Sequence, residues 1–158
     1  MNHTIAESKE FCSHSADMIK LAAEKGIDIG VAPSYLSLQT VKENAGNMIV
    51  AAQDCHFADH GAYTGFVSIP MIKELGIDWC LVGHSERRLY AAETSLTCNR
   101  KIKALIENKM TVVYCVGESL ADFESGRTKS IVKEQLLIGL MDIAKEAVSY
   151  THLRAHET

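Results

Sequence analysis

The residues best suited to chemistry stand together in Gly83-His84-Ser85-Glu86-Arg87-Arg88, directly after an apolar run. His84 lies behind a glycine that lets the chain turn, and the next long helical pattern starts near Thr94. An imidazole near a helix N-terminus has its cationic form disfavoured, so it stays neutral and donates a hydrogen bond. That suits polarising a carbonyl. The same placement also fits a strand-end histidine that only satisfies backbone groups. Glu86 is a candidate general acid/base and equally an ion-pair partner for Arg87 or Arg88. Glu118, which follows Gly117 after another apolar run, offers the same choice between a catalytic carboxylate and a structural one.

Other chemistries find little support. The five cysteines are Cys12, Cys55, Cys80, Cys98 and Cys115, and the closest two stand 17 positions apart, which gives no Cys-x-x-Cys or zinc-ribbon spacing. Reduced core thiols are expected, none with an activating neighbour. The seven histidines are scattered, so no metal is expected, and His3, His14 and His60 sit among polar residues where they are solvated. Neither glycine-rich phosphate loop motif is present. Lys and Arg number 16 against 20 Asp and Glu, a net charge of −4 with no basic excess to hold nucleic acid. No apolar run approaches the roughly 18 residues of a membrane span, and no signal peptide is evident at Met1. With 47% apolar and 23% charged residues, the 158-residue chain reads as one globular, cytoplasmic domain with one core.

The elements that must position these residues alternate. Thr4-x-x-Glu7 is a capping box, after which Phe11, Ser15, Met18, Ile19 and Ala22 trace one helical face as far as Gly26. Residues 27–32 alternate as a strand, a short helix covers 38–45, and 48–52 is an apolar run covered on both faces. A polar loop over 53–65 precedes a short helix from Ser68, with Pro70 in its first turn and Gly76 at its end. Residues 77–82 form a third strand, and a helix from Thr94 carries Cys98, Ile102, Leu105 and Ile106. Residues 110–116 form a fourth strand. After Gly126 a longer helix aligns Val132, Leu136, Leu140, Ile143 and Ala147. Helices alternating with buried strands predict βαβ units and a parallel sheet, whose chemistry collects at the C-terminal strand ends.

These motifs together resemble triosephosphate isomerase. The Gly83 to Arg88 segment at a strand end is similar to that family's signature. Ala32-Pro33-Ser34, Ala51-Ala52-Gln53-Asp54, Gly61-Ala62-Tyr63-Thr64-Gly65, Cys115-Val116-Gly117-Glu118 and Lys133-Glu134-Gln135-Leu136 recur in family order and spacing, from Met1 to about Val148. The resemblance implies a (β/α)8 barrel that interconverts dihydroxyacetone phosphate and glyceraldehyde 3-phosphate through an enediol(ate), without a cofactor. His84 matches the family's neutral electrophile; that role comes with the family, a standard example of pKa tuning, and not from spacing. Ser85 and Glu86 match its supporting neighbours. Thr64 and Gly65 match the tip of the loop that reaches the partner subunit's active site in a homodimer.

The chain also departs from the family. A whole barrel needs about 250 residues and eight strands. Met1-Asn2 matches only the end of the family's Asn-x-Lys-Met-Asn strand, which carries the substrate lysine. The strand with the base glutamate, the lid and the phosphate loops have no counterpart. Residues 149–158 resemble nothing in the family and read as a cloning or assembly scar, leaving a domain over 1–148. Phe66 replaces an interface glutamate, Ala91-Ala92 replaces Phe-Gly, and Phe123 replaces an arginine. The expectation is a partial barrel of about four parallel strands with flanking helices, inactive alone, with raw strand edges that promote association. The alternative is a non-catalytic half-barrel that self-associates or assembles with another chain.

Overall fold

A computed structural model describes residues 2–145 and 151–153. The chain divides into two compact units, residues 1–80 and residues 81–158.

The first unit opens with α1 (Ile5–His14), begun by the predicted capping box: Thr4 N–H donates to the Glu7 carboxylate at 2.6 Å, and Glu7 N–H donates to Thr4 Oγ1 at 3.4 Å. The sequence predicts one helix as far as Gly26, but the structure breaks it at Ser15 and restarts as α2 (Ala16–Glu24). The Ser15 hydroxyl donates to the Phe11 carbonyl at 2.7 Å, a back-bond of the kind that bends helices. The buried stripe is Ser8, Cys12, Ser15 and Ala22, while Met18 is 50% exposed. The chain leaves α2 through Gly26, at φ +64°, with Ile27 N–H donating to the Ala22 carbonyl. That closure takes Ile27 out of the expected strand, and β1 is only Gly30–Val31.

A 3-10 turn over Tyr35–Ser37 leads into α3 (Leu38–Asn44), and β2 (Ile49–Ala52) lies parallel to β1 with Gly30 opposite Ile49. α4 (Ile69–Glu74) follows N-cap Ser68 with proline in its first turn. β3 (Trp79–Val82) then pairs Trp79 and Cys80 in parallel with Ala51 and Ala52. Leu38, Val41, Ile69, Ile72 and Ile77 fill this unit's core.

In the second unit β3 ends and α5 (Ser85–Tyr90) begins at once, a six-residue helix the sequence pattern does not predict. α6 (Ser95–Glu107) starts at Thr94, where Thr94 and Thr97 cap each other. It buries Cys98, Ile102 and Leu105 as expected, and with them Asn99 and Lys101. β4 (Thr111–Val116), the five-residue α7 (Leu120–Glu124) and α8 (Thr128–Gly139) follow. α8 stops earlier than its stripe predicts: Leu140 is its C-cap, Ile143 lies beyond it, and Ala147 falls outside the described residues. Asn99 of α6 holds that end, donating to the carbonyls of Gly139 at 3.0 Å and Met141 at 2.9 Å.

The tail expected to lie outside the 1–148 domain contributes β5 (Thr151–Leu153), parallel to β4 with Tyr114 opposite Thr151. All four expected strands form, and the fold is α/β with parallel strands flanked by helices.

Candidate active site

The second unit carries the turn from Gly83 into α5. Val82 is fully buried at the end of β3, and Gly83 follows at φ +79°, a backbone state side chains resist. A Cβ there would also meet Tyr114 Cε2 and the Cys115 carbonyl, each at 3.0 Å. Both constraints demand glycine. The turn delivers His84 to the N-cap of α5, where its Nδ1 accepts the Glu86 N–H at 3.4 Å. An Nδ1 that accepts an N–H carries no proton, which in the neutral imidazole places the hydrogen on Nε2.

Glu86 Oε2 also lies 3.5 Å from Nδ1, and a carboxylate there would favour the cation. Its side chain is 67% exposed, so water screens that attraction, whereas the N–H and the helix N-terminus act directly on the ring. Ser85 opens α5 on the exposed side of the same turn.

Sequence reasoning missed the groups that hold this turn. Gly83 N–H donates to Glu93 Oε2 at 3.2 Å, and Gly83 C=O accepts from Arg88 Nε at 2.8 Å. Glu93 is 8% exposed and pairs with Lys101, itself 4% exposed, while Arg87 Nε approaches Glu93 Oε2 at 3.7 Å. Only burial distinguishes Glu93 and Lys101 from surface charges, and the sequence gives no signal of burial at either.

The next strand end is fixed by Gln135, whose side-chain amide accepts the Gly117 N–H and donates to the Gly117 C=O, both at 2.8 Å. Its motif was legible, but its role was not. Glu118 accepts the Thr128 hydroxyl at 3.1 Å, which favours the structural reading of that carboxylate.

In the first unit, Gln53 at the end of β2 donates to the Ala32 carbonyl beyond β1 at 2.9 Å. Thr64 and Gly65 occupy the middle of a turn closed by Phe66 N–H to Tyr63 C=O at 3.0 Å, and Gly65 at φ +88° marks it as type II. Both are exposed. Behind them His56 is buried between rings, with centroids 4.3 Å from Phe57, 4.1 Å from Tyr63 and 4.9 Å from Phe66. Phe66 thus closes an aromatic cluster where the family places a charge. Among the described residues no group of three or more His, Cys, Asp or Glu could hold a metal, and no helix is long and apolar enough to cross a membrane.

Residues 1–153 match the family described as Triosephosphate isomerase. The chain is 40% identical over 157 residues to a triosephosphate isomerase of Chlorobium chlorochromatii (strain CaD3), covering 95% of this chain and 61% of that protein. It is 37% identical over 150 residues to one of Clostridium botulinum (strain ATCC 19397 / Type A), covering 94% and 59%. The chain therefore spans about three-fifths of the length of the curated relatives it matches. With a family match that runs through nearly every residue, including the glycine turn, the capped α5 and the clamped strand ends, the chain belongs to the triosephosphate isomerase family.

Proposed function

We propose that this chain is the His84-bearing part of an aldose–ketose isomerase that interconverts dihydroxyacetone phosphate and glyceraldehyde 3-phosphate in glycolysis and gluconeogenesis. The carrying observation is the Glu86 N–H on His84 Nδ1, which orients the ring so that a neutral imidazole presents Nε2–H as its donor at a strand end. A neutral imidazole polarises a substrate carbonyl and, with its own proton, moves protons between the two oxygens of an enediol(ate). Ser85 and Glu86 support that ring. Thr64 and Gly65 form the tip that meets a second subunit in a cytoplasmic homodimer. Residues 1–148 are the barrel portion and 149–158 a tail of separate origin, although its Thr151–Leu153 segment pairs with β4 and lies within the family match.

Neither the base glutamate nor the substrate lysine of the family has a counterpart in residues 1–148. A positioned general base contributes about 10²- to 10⁴-fold in rate, and preorganised charge contributes several kcal/mol more. The 158-residue chain alone is accordingly inactive.

The test compares this chain with a protein extended to the full length of the relatives. The extended protein turns over triose phosphate, and His84→Gln lowers its kcat about 10²- to 10⁴-fold. No turnover by the extended protein would overturn the isomerase reading. Turnover by the 158-residue chain that His84→Gln abolishes would overturn its inactivity. The exposed Leu89 and Tyr90 on α5, at 72% and 82%, favour a second reading, a non-catalytic piece completed by its own copy or another chain. An inactive extended protein that still associates would select it.

A further inference from the structure

The family reading gives Tyr114 no part, yet this buried phenol stands between the two strand-end turns of the second unit. It is 2% exposed at the middle of β4. Its ring packs directly behind Gly83, with Cε2 3.0 Å from the place a Cβ would occupy there. Its hydroxyl accepts from Arg88 Nη2 at 3.2 Å and donates to the Gln135 carbonyl at 2.8 Å. The Arg88 guanidinium also lies 5.8 Å from the ring centroid.

Each partner grips one turn. Arg88 Nε holds the Gly83 carbonyl, next to His84, and the Gln135 amide holds both backbone groups of Gly117, next to Glu118. Gly139 makes the arrangement possible, because a Cβ there would stand 2.2 Å from the Tyr114 hydroxyl.

We propose that Tyr114 is a positioning residue: its ring backs Gly83 and its hydroxyl joins Arg88 to Gln135, so that the His84 turn and the Gly117–Glu118 turn are fixed as one unit. This deepens the isomerase reading by assigning what holds His84 in place. Buried hydrogen-bond networks with every member satisfied strengthen one another and move together. Deleting the hydroxyl leaves Arg88 Nη2 with only the Cys115 carbonyl at 3.4 Å and takes the side-chain donor from the Gln135 carbonyl, which loosens both grips at once.

The test is native-state hydrogen exchange and ring-nitrogen NMR on the intact 158-residue chain. In the unaltered chain the amides of Gly83 and Gly117 open with the same free energy and the same denaturant slope, below the global value reported by Leu105 in α6. In Tyr114→Phe both glycine amides exchange about five- to tenfold faster, as loss of one net hydrogen bond implies. Leu105 is unchanged, and the His84 ring nitrogens shift toward an averaged tautomer. A role that is only structural would speed Leu105 by the same factor and leave the ring nitrogens where they are, and that result overturns the proposal. So do unequal slopes for the two glycines in the unaltered chain, a measurement that needs no variant to fold. An inactive extended protein would remove the isomerase reading and leave the coupling intact, whereas independent opening would remove the coupling and leave activity untouched.

Discussion

At the residue scale, chemistry and support were unequally visible. The place of His84 at a strand end was legible because a histidine behind a glycine after an apolar run is a pattern of types along the chain. Glu93, Lys101, Arg88 and Tyr114 were not, because their importance lies in burial and in partners up to 27 positions away. The Glu93–Lys101 pair carries a clear consequence. Removing one charge leaves the other buried, which costs about 3–5 kcal/mol, so Glu93→Gln lowers the urea midpoint sharply. Adding Lys101→Met recovers most of the loss. A single variant as stable as the parent would mean that water reaches the pair. Tyr114 sets a second expectation. Burial raises its phenol above the usual value near 10.0, and the Arg88 hydrogen bond and charge only partly oppose this. The unfolded chain therefore loses that proton first. Its contribution to stability is complete below about pH 10 and is lost as pH rises from there through the folded value. Urea midpoints from pH 8 to 11 fall less steeply in Tyr114→Phe than in the parent.

At the element scale, length decided what could be read. The 13-residue α6 shows its cap and its buried stripe in sequence, whereas α5 and α7, at six and five residues, are too short for a 3.6-residue period to register. Yet α5 is the element that presents His84. The break at Ser15 was hidden for another reason: the serine occupies a stripe position, so the apolar pattern runs through a point where its hydroxyl bends the backbone. Caps carry measurable weight here. Thr94 accepts the Thr97 N–H at 3.1 Å and receives the reciprocal contact, so Thr94→Ala lowers stability by about 1 kcal/mol, read as a shift in melting temperature. Ser119→Ala, at the start of α7, costs less, because a five-residue helix on an exposed rim has little to transmit. Equal losses from the two would show α7 to be integral to the second unit.

At the scale of the whole molecule, the alternation of helices and buried strands made the α/β class legible, since only parallel strands with crossovers bury such runs. The extent of the family match made the membership legible. What composition could not show is the apolar surface left uncovered: Leu36 is 83% exposed, Tyr90 82%, Leu89 72% and Leu137 65%. The adjacent Leu89 and Tyr90 on α5 are the part of it that can act as an interaction site or aggregation hazard. The chain is therefore expected to associate with rising concentration in size-exclusion chromatography, and Leu89→Lys with Tyr90→Glu to shift it toward monomer. A sharp monomer peak at every concentration would contradict this. β5 joins β4 through backbone groups, which are the same in every residue but proline, so the place beside β4 selects for extended chain and is indifferent to spelling. Any segment able to extend there would meet the same row of N–H and C=O groups along Tyr114 to Val116.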